Sequence, residues 1–277
     1  MTFAARALRL RQYPAYLFLA AYSLMVVGPV LWMVVASVKP RAEFFSKPFT
    51  LPATVNFAGY QRAWSGGLLH YIANSLIITG VSVAVILVAG GLAAYALARM
   101  RFVGRGIVYG VAIAAYAIPI HGILVPLYDT LVKLGLTNTY LGLILPYITF
   151  GLPFAIAVMY AFFLDFPDEM IEAARIDGCS DLGAFLRIVA PLSLPAFASI
   201  AIFQGVQIWN EFLLALIVIS DDALKTVPLG LVAFRGTYVS DWNAILASIT
   251  VTSVPMLILF IAFQKQFIRS LAGSSKG

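Results

Sequence analysis

One carboxylate sits inside a long apolar run of this chain: Glu211, preceded by Trp209 and Asn210. An ionisable group in such a run is costly in hydrocarbon and normally faces a bundle interior or a watery cavity. A carboxylate or amide beside an aromatic ring can hydrogen-bond hydroxyl groups, so Trp209, Asn210 and Glu211 fit a pathway for a polyhydroxylated solute. A structural hydrogen bond between helices explains Glu211 equally well, and the sequence leaves both readings open. Other reactive groups are scarce. The only histidines are His70 and His121 and the only cysteine is Cys179, which excludes an internal disulfide and makes no metal site the expectation. His121, between Pro119 and Pro126, suits a satisfied polar group near a kink, and His70 reads as interfacial. No G-x-x-x-x-G-K-[ST] occurs, and Gly230–Thr237 does not replace it because no Lys follows its Gly. Neither a nucleotide site nor catalytic residues are expected in this chain.

The second informative stretch runs from Asp165 to Pro195, DFPDEMIEAARIDGCSDLGAFLRIVAPLSLP. Pro167 suits the first turn of a helix, and Asp168 and Glu169 favour the positive end of its dipole. The spacing predicts a short helix over Pro167–Asp177, stopped by Gly178 in a left-handed conformation. Ser180 can cap a second helix from Asp181 to about Ala190, ended by Pro191. The prediction is helix, sharp turn, helix.

The elements that must carry these groups belong in a membrane. The 277 residues are 62% hydrophobic and 11% charged, with a mean hydropathy of +0.95. A soluble domain carries roughly 45–50% apolar and about 25% charged residues, so the excess needs lipid as its solvent. Uncharged intervals fall at 12–38, 63–98, 106–128, 134–164, 188–210 and 242–264, each of at least 23 residues. About 20 suffice for a helix to cross, and backbone groups unmet by water must bond within the helix. The fold expected is all-α, an integral membrane protein of six transmembrane helices near 13–38, 71–98, 106–128, 139–164, 195–220 and 242–264. The connection 165–194 then lies between the fourth and fifth. The first apolar stretch is too long for a signal peptide and reads as a retained helix, with Gly28-Pro29 as a kink.

The charge of +6 and pI near 9.5 follow from topology and not from nucleic acid, which is not an expected partner. With the N-terminus inside, Arg6, Arg9, Arg11, Arg99, Arg101, Arg105, Arg175, Arg187, Lys265, Arg269 and Lys276 are inside. Lys39, Arg41, Lys47, Arg62, Lys133, Lys225 and Arg235 are outside, a bias of eleven to seven that puts both termini in the cytoplasm. The outer segments 39–69 and 221–243 are rich in Pro, Gly and aromatics, the latter including Gly236 and Tyr238. Trp64 and Trp242 suit interfacial anchors. Gly90, Gly91, Ala93, Ala94, Ala96 and Ala98 suit close helix packing.

Glu172-Ala173-Ala174, Gly178, Ile188 and Pro191 stand at spacings that resemble the cytoplasmic loop of ABC importer permeases, with Ala190 where that family has Leu. The strings YIANSLIIT (71–79), AAYALARMRFVGR (93–105), WNEFLLAL (209–216) and TVPLGL (226–231) resemble its carbohydrate branch, particularly the smaller permease subunit of the maltose importer. The resemblance implies a coupling helix in which Glu172, Ala173, Ala174, Arg175, Asp177 and Gly178 dock on an ATPase. It also implies a bacterial inner-membrane subunit that works with a second permease subunit, two ATP-binding subunits and an extracytoplasmic sugar-binding protein. ATP and Mg2+ would bind the partner ATPase, and the solute would be a sugar that the sequence does not name. The rival class, an ion-coupled secondary transporter acting alone, normally shows internal repeats and buried acidic relays. No convincing repeat relates 1–138 to 139–277, and Glu211 stands alone.

Overall fold

The computed structural model describes residues 3–234 and 241–273. Arg235, Gly236, Thr237, Tyr238 and Lys276, used above, lie outside them. The described residues are helical, without strands, and fall into two units.

The first unit comprises residues up to 67 together with the described part of 233–253. It holds α1 (Phe3–Ser37), α2 (Arg41–Ser46) and α3 (Ala58–Ser65). Helix α1 runs unbroken through Pro14 and Pro29, so the Gly28-Pro29 step does not end it. None of its apolar window is buried within the chain. Its end is fastened by polar contacts: Trp32 Nε1 donates to Pro48 O at 2.8 Å, and Ser37 Oγ lies 2.7 Å from Tyr60 Oη. Trp32 also lies beside the Phe44 and Phe49 rings, at 6.3 and 6.2 Å.

The second unit comprises residues 68–232 and the described part of 254–277. Its long elements are α4 (Leu68–Arg99) and α7 (Leu141–Leu164), and they pack closely because small residues face each other. A Cβ on Gly90 would stand 2.9 Å from the Ala155 Cβ, so this approach requires glycine. Gly91, Ala94 and Ala98 are buried on the same helix, as the small-residue pattern suggested. At the other end of α4 the Asn74 amide donates to Ala223 O at 2.8 Å and Lys225 O at 2.9 Å. Its oxygen accepts from Tyr140 Oη at 2.7 Å.

The expected third span, 106–128, is not one helix. Helix α5 (Arg105–Tyr116) ends before Pro119, a 3-10 turn covers Ile120–Ile123, and α6 (Leu124–Lys133) continues at 87°. Pro119 has no N–H for the helical ladder and its ring crowds the preceding turn, so the helix stops there. Between α7 and the next long element lie α8 (Asp168–Ile176), α9 (Asp181–Ala184), a π turn at Phe185–Val189 and α10 (Ala190–Leu192). The expected second helix runs on through the π turn and past Pro191 to Leu192, and the chain breaks at Ser193, two residues beyond Pro191. The expected fifth span, 195–220, is also divided. Helix α11 (Leu194–Trp209) stops, residues 210–212 are not helical, and α12 (Leu213–Val218) follows. A short α13 (Val227–Leu231) precedes α14 (Trp242–Gly273), which contains the sixth span.

Among the described residues, four helical segments are long and apolar enough to cross a membrane: Tyr13–Ser37, Leu68–Arg99, Leu141–Leu164 and Trp242–Gln266. Two bent pairs, Arg105–Tyr116 with Ile120–Lys133 and Asp181–Leu192 with Leu194–Trp209, raise the number to six when each is one crossing.

Candidate functional site

Two places in the second unit gather the groups singled out in the sequence. The first is the 165–194 connection. Pro167 takes the N-cap position of α8, one residue earlier than expected, with φ −60° and ψ 127°. Asp168 and Glu169 occupy the first turn and Arg175 the last, each at the end its charge favours. Gly178 has φ +83°, the left-handed turn read from the sequence. There the Cys179 N–H reaches back to Ala174 O at 2.9 Å. Ser180 caps α9 by accepting from the Gly183 N–H at 3.2 Å. Arg175 binds Asp181 through Nη2 at 2.9 Å and Nε at 3.2 Å, which fixes the angle between the two short helices.

This connection has an inner and an outer face. Ile171 and Ala174 are buried, whereas Glu172, Ala173, Arg175, Asp177 and Gly178 are exposed. Ala174 therefore packs α8 against its own chain and offers no surface. Ile176, which the sequence reading did not single out, is 85% exposed and adds an apolar knob beside the turn. The base of α8 is held by Arg99, at the end of α4, which binds the Asp168 carboxylate and the Phe166 carbonyl, with Leu164 O at 3.4 Å. Tyr95, Phe163 and Phe185 cluster behind it, their ring centroids 5.1–6.2 Å apart.

The second place is a cavity of about 320 Å³ beside the helix break at 210–212. Phe154 and Phe203 stack in its wall at 4.5 Å, with Tyr116 5.9 Å from Phe154. Gln204, Gln207 and Glu211 add polar groups from α11 and the break, Tyr147 and Phe150 come from α7, and His121 from the 3-10 turn. Gln204 Nε2 donates to Gly151 O at 3.2 Å, whereas the side chains of Gln207 and His121 make no hydrogen bond among the described residues.

Glu211 is both at the wall and bound to the backbone. Its Oε2 accepts from Tyr147 Oη at 2.7 Å and from the Ala215 N–H at 3.2 Å; its Oε1 accepts from the Leu214 N–H at 2.8 Å. These N–H groups belong to the first turn of α12, which has no intrahelical acceptors for them. The side chain thus caps α12, and the break follows from its own residue. Trp209 and Asn210 stand apart from the cavity. Trp209 is buried against Tyr71 and Val227, and the Asn210 amide turns back to Val206 O at 2.8 Å.

The sequence reading missed the aromatic wall and the two glutamines. A signal was present: Gln204, Gln207 and Glu211 recur every three or four residues, which puts them on one side of an otherwise apolar helix. The cavity joins flat aromatic faces to amide and carboxylate groups, a combination chemically able to hydrogen-bond hydroxyl groups and stack on a flat ring. Among the described residues no group of His, Cys, Asp and Glu is arranged to hold a metal.

Residues 86–273 match the family model described as "Binding-protein-dependent transport system inner membrane component". The chain is 37% identical over 263 residues to the probable ABC transporter permease protein YurM of Bacillus subtilis, covering 95% of this chain and 88% of that one. It is 35% identical to the diacetylchitobiose uptake system permease protein NgcG of Streptomyces coelicolor, covering 93% and 86%. With the trehalose/maltose transport system permease protein MalG of Thermococcus litoralis it shares 31%, over 92% and 93%. Among solved structures, a chain of a bacterial ABC transporter that imports the acidic polysaccharide alginate superimposes with a TM-score of 0.80. It is 22% identical and covers 96% of this chain and all of that one, a likeness of fold.

Proposed function

The chain belongs to the binding-protein-dependent transport system inner membrane component family, and from that premise we propose that it is one permease subunit of an ATP-driven sugar importer. A second permease subunit completes the pathway, two ATPase subunits supply energy, and an extracytoplasmic sugar-binding protein delivers the solute. The cavity beside Glu211 forms this chain's share of the pathway, with Gln207 and His121 offering free polar groups and the Phe154–Phe203 wall offering flat faces to a sugar ring. The observation that carries the reading is the 165–194 connection. It is a helix–turn–helix whose Glu172, Ala173, Arg175, Asp177 and Gly178 remain uncovered in the single chain. Such a surface suits docking in a cleft of an ATPase, with Gly178 and the Arg175–Asp181 pair setting its shape. Both termini and this connection lie in the cytoplasm, and segments 39–69 and 221–243 lie outside. Since the sequence has no phosphate-binding loop, ATP and Mg2+ bind the partner.

Cys179, the only thiol, tests this directly because it follows Gly178 at the turn. A membrane-impermeant maleimide is expected to label it from the cytoplasmic side alone, and assembly with the ATPase to protect it. Labelling from outside refutes the orientation. Equal labelling with and without the ATPase refutes the docking. Sugar uptake by the chain alone, without any ATPase, refutes the importer reading in favour of an ion-coupled carrier.

A further inference from the structure

The first unit carries an apolar loop that the transport reading does not use. Residues 43–53 turn back beside α1 and are pinned at several polar points. The Glu43 carboxylate accepts from the Ala53 N–H, at 3.0 Å through Oε1 and 3.3 Å through Oε2, which closes the loop. The ammonium of Lys39, a residue only 1% exposed, donates to Lys47 O at 2.8 Å and Pro48 O at 3.1 Å. Pro48 O is also the acceptor for the Trp32 indole N–H. The Thr50 N–H and hydroxyl both donate to Lys47 O, at 3.4 and 3.1 Å.

Held at these points, the loop nonetheless turns its largest side chains out. Phe45 is 60% exposed, Phe49 88% and Leu51 79%. Single exposed apolar residues are ordinary on a protein surface, but three so close together form a patch that marks a contact.

The depth of the patch decides what covers it. Phe44 and Phe49 lie beside Trp32, which stands five residues before Ser37, the end of α1. At about 1.5 Å per residue, Trp32 is about 7.5 Å inside that end. By the same rise the apolar segment Tyr13–Ser37 is about 36 Å long, against a hydrocarbon core of about 30 Å. Trp32 and the rings beside it therefore stand at the edge of the hydrocarbon, where aromatic side chains concentrate. Segments that lie on a membrane sink their apolar side to a similar depth, about 5–10 Å into the headgroup boundary.

We propose that loop 43–53 is an interfacial anchor that sinks Phe45, Phe49 and Leu51 into the lipid leaflet at the C-terminal end of α1. In the orientation proposed above this is the outer leaflet. Lys47, exposed between the two phenylalanines and without an ion pair among the described residues, supplies a cation for lipid phosphates. A docked protein could cover the same side chains, but at the depth of Trp32 lipid is the medium already present. The base of the loop is tied to the start of α14, whose Asn243 amide donates to Lys39 O at 2.7 Å. The anchor thus sets the height of two spans in the membrane.

The test uses the assembled importer in vesicles of phosphatidylethanolamine and phosphatidylglycerol, with every native cysteine, Cys179 included, replaced by serine. A bimane fluorophore is attached at Phe49→Cys or, separately, at Leu51→Cys. Phospholipid with a doxyl quencher near the headgroup end of its acyl chain is present in both leaflets. Emission at either site is expected to fall at least about two-fold with this lipid, less with a doxyl group deep in the chain, and hardly at all with iodide on both sides. Met25→Cys, midway along the first span, is expected to reverse the order of the two lipids. Iodide quenching at 49 and 51 without lipid quenching overturns the proposal, and if docking of the binding protein removes that iodide quenching the patch belongs to the binding protein. Shielding from both quenchers also overturns it, in favour of a contact with the second permease subunit. Because the quenchers act from both leaflets and both sides, a reversed orientation leaves these outcomes as they are, and the importer reading stands or falls separately on ATPase-dependent uptake.

Discussion

Substituting Glu211 by Gln replaces one oxygen by an NH2 group at a point where three donors converge. If the amide oxygen takes the place of Oε2, it keeps Tyr147 Oη and the Ala215 N–H, while the new N–H2 faces the Leu214 N–H. Leu214 is 0% exposed, so its amide finds no water in exchange. An orphaned buried donor costs about 1–3 kcal/mol, and bonds to a neutral acceptor are roughly half as strong as bonds to a carboxylate. The sum is about 2–4 kcal/mol for Glu211→Gln, against about 1–2 kcal/mol for Tyr147→Phe, which removes one donor and leaves the cap intact. Glu211→Ala removes all three acceptor contacts and is expected to be worse than either. The measurement is thermal unfolding of the purified importer in detergent, with sugar uptake per assembled complex measured in parallel. The cap predicts that melting falls in the order Ala, Gln, then Phe at 147, with uptake falling along with assembly. Unchanged melting in Glu211→Gln with reduced uptake refutes the cap and leaves only a pathway role. Unchanged melting and unchanged uptake refute both.

Gly178→Val meets nothing within 4 Å, so its cost is backbone strain alone, about 1–3 kcal/mol at φ +83°. It is expected to insert and assemble normally yet to lose sugar-stimulated ATP hydrolysis, and full stimulation would falsify the role of the turn. Hydrogen bonding by Arg62 holds the Asp241 carboxyl below its ordinary value, with the Ala244 N–H and Arg41 adding to it and burial opposing. A depressed carboxyl contributes stability above its unfolded value, about 3.9, and loses it as pH falls through the folded one. Acid unfolding of the wild type is therefore expected to contain a step below about pH 4 that is smaller in Arg62→Gln, where only the Ala244 N–H and Arg41 still favour the carboxylate. Superimposable acid titrations of the two would contradict that pairing.

The parts of this structure that could be read from the sequence are those whose cause is local. Pro167, Gly178 and Ser180 each act on their own backbone or that of the next three residues, and α8, its stop and the cap of α9 stand within a residue of expectation. Hydropathy located the apolar runs, since lipid demands them wherever they cross. It could not locate the breaks at 117–119 and 210–212, because a bent helix and a straight one of equal apolarity read alike. At the second break the cause is a side chain, Glu211, bonded to a tyrosine 64 positions earlier, and no local window contains both. The aromatic wall was hidden for a related reason. Phe154 and Phe203 look the same in sequence whether they face lipid, a neighbouring helix or a cavity. Trp209 and Asn210 follow from the same rule, since adjacency in sequence brings neither of them to the wall that Glu211 lines.

Helix α4 is fastened near both ends to segments that are not spans. Asn74 holds the 223–225 carbonyls, and Arg99 holds the start of α8 through Asp168 and Phe166. The 25 steps between them cover about 37 Å at 1.5 Å per residue. Close packing of Gly90 against Ala155 stiffens the middle of that length. A helix clamped in this way can pass a push at one end to the other as a displacement of the whole, without any residue along it changing conformation. The register of such a rod is held at its ends by two side chains, one amide and one guanidinium.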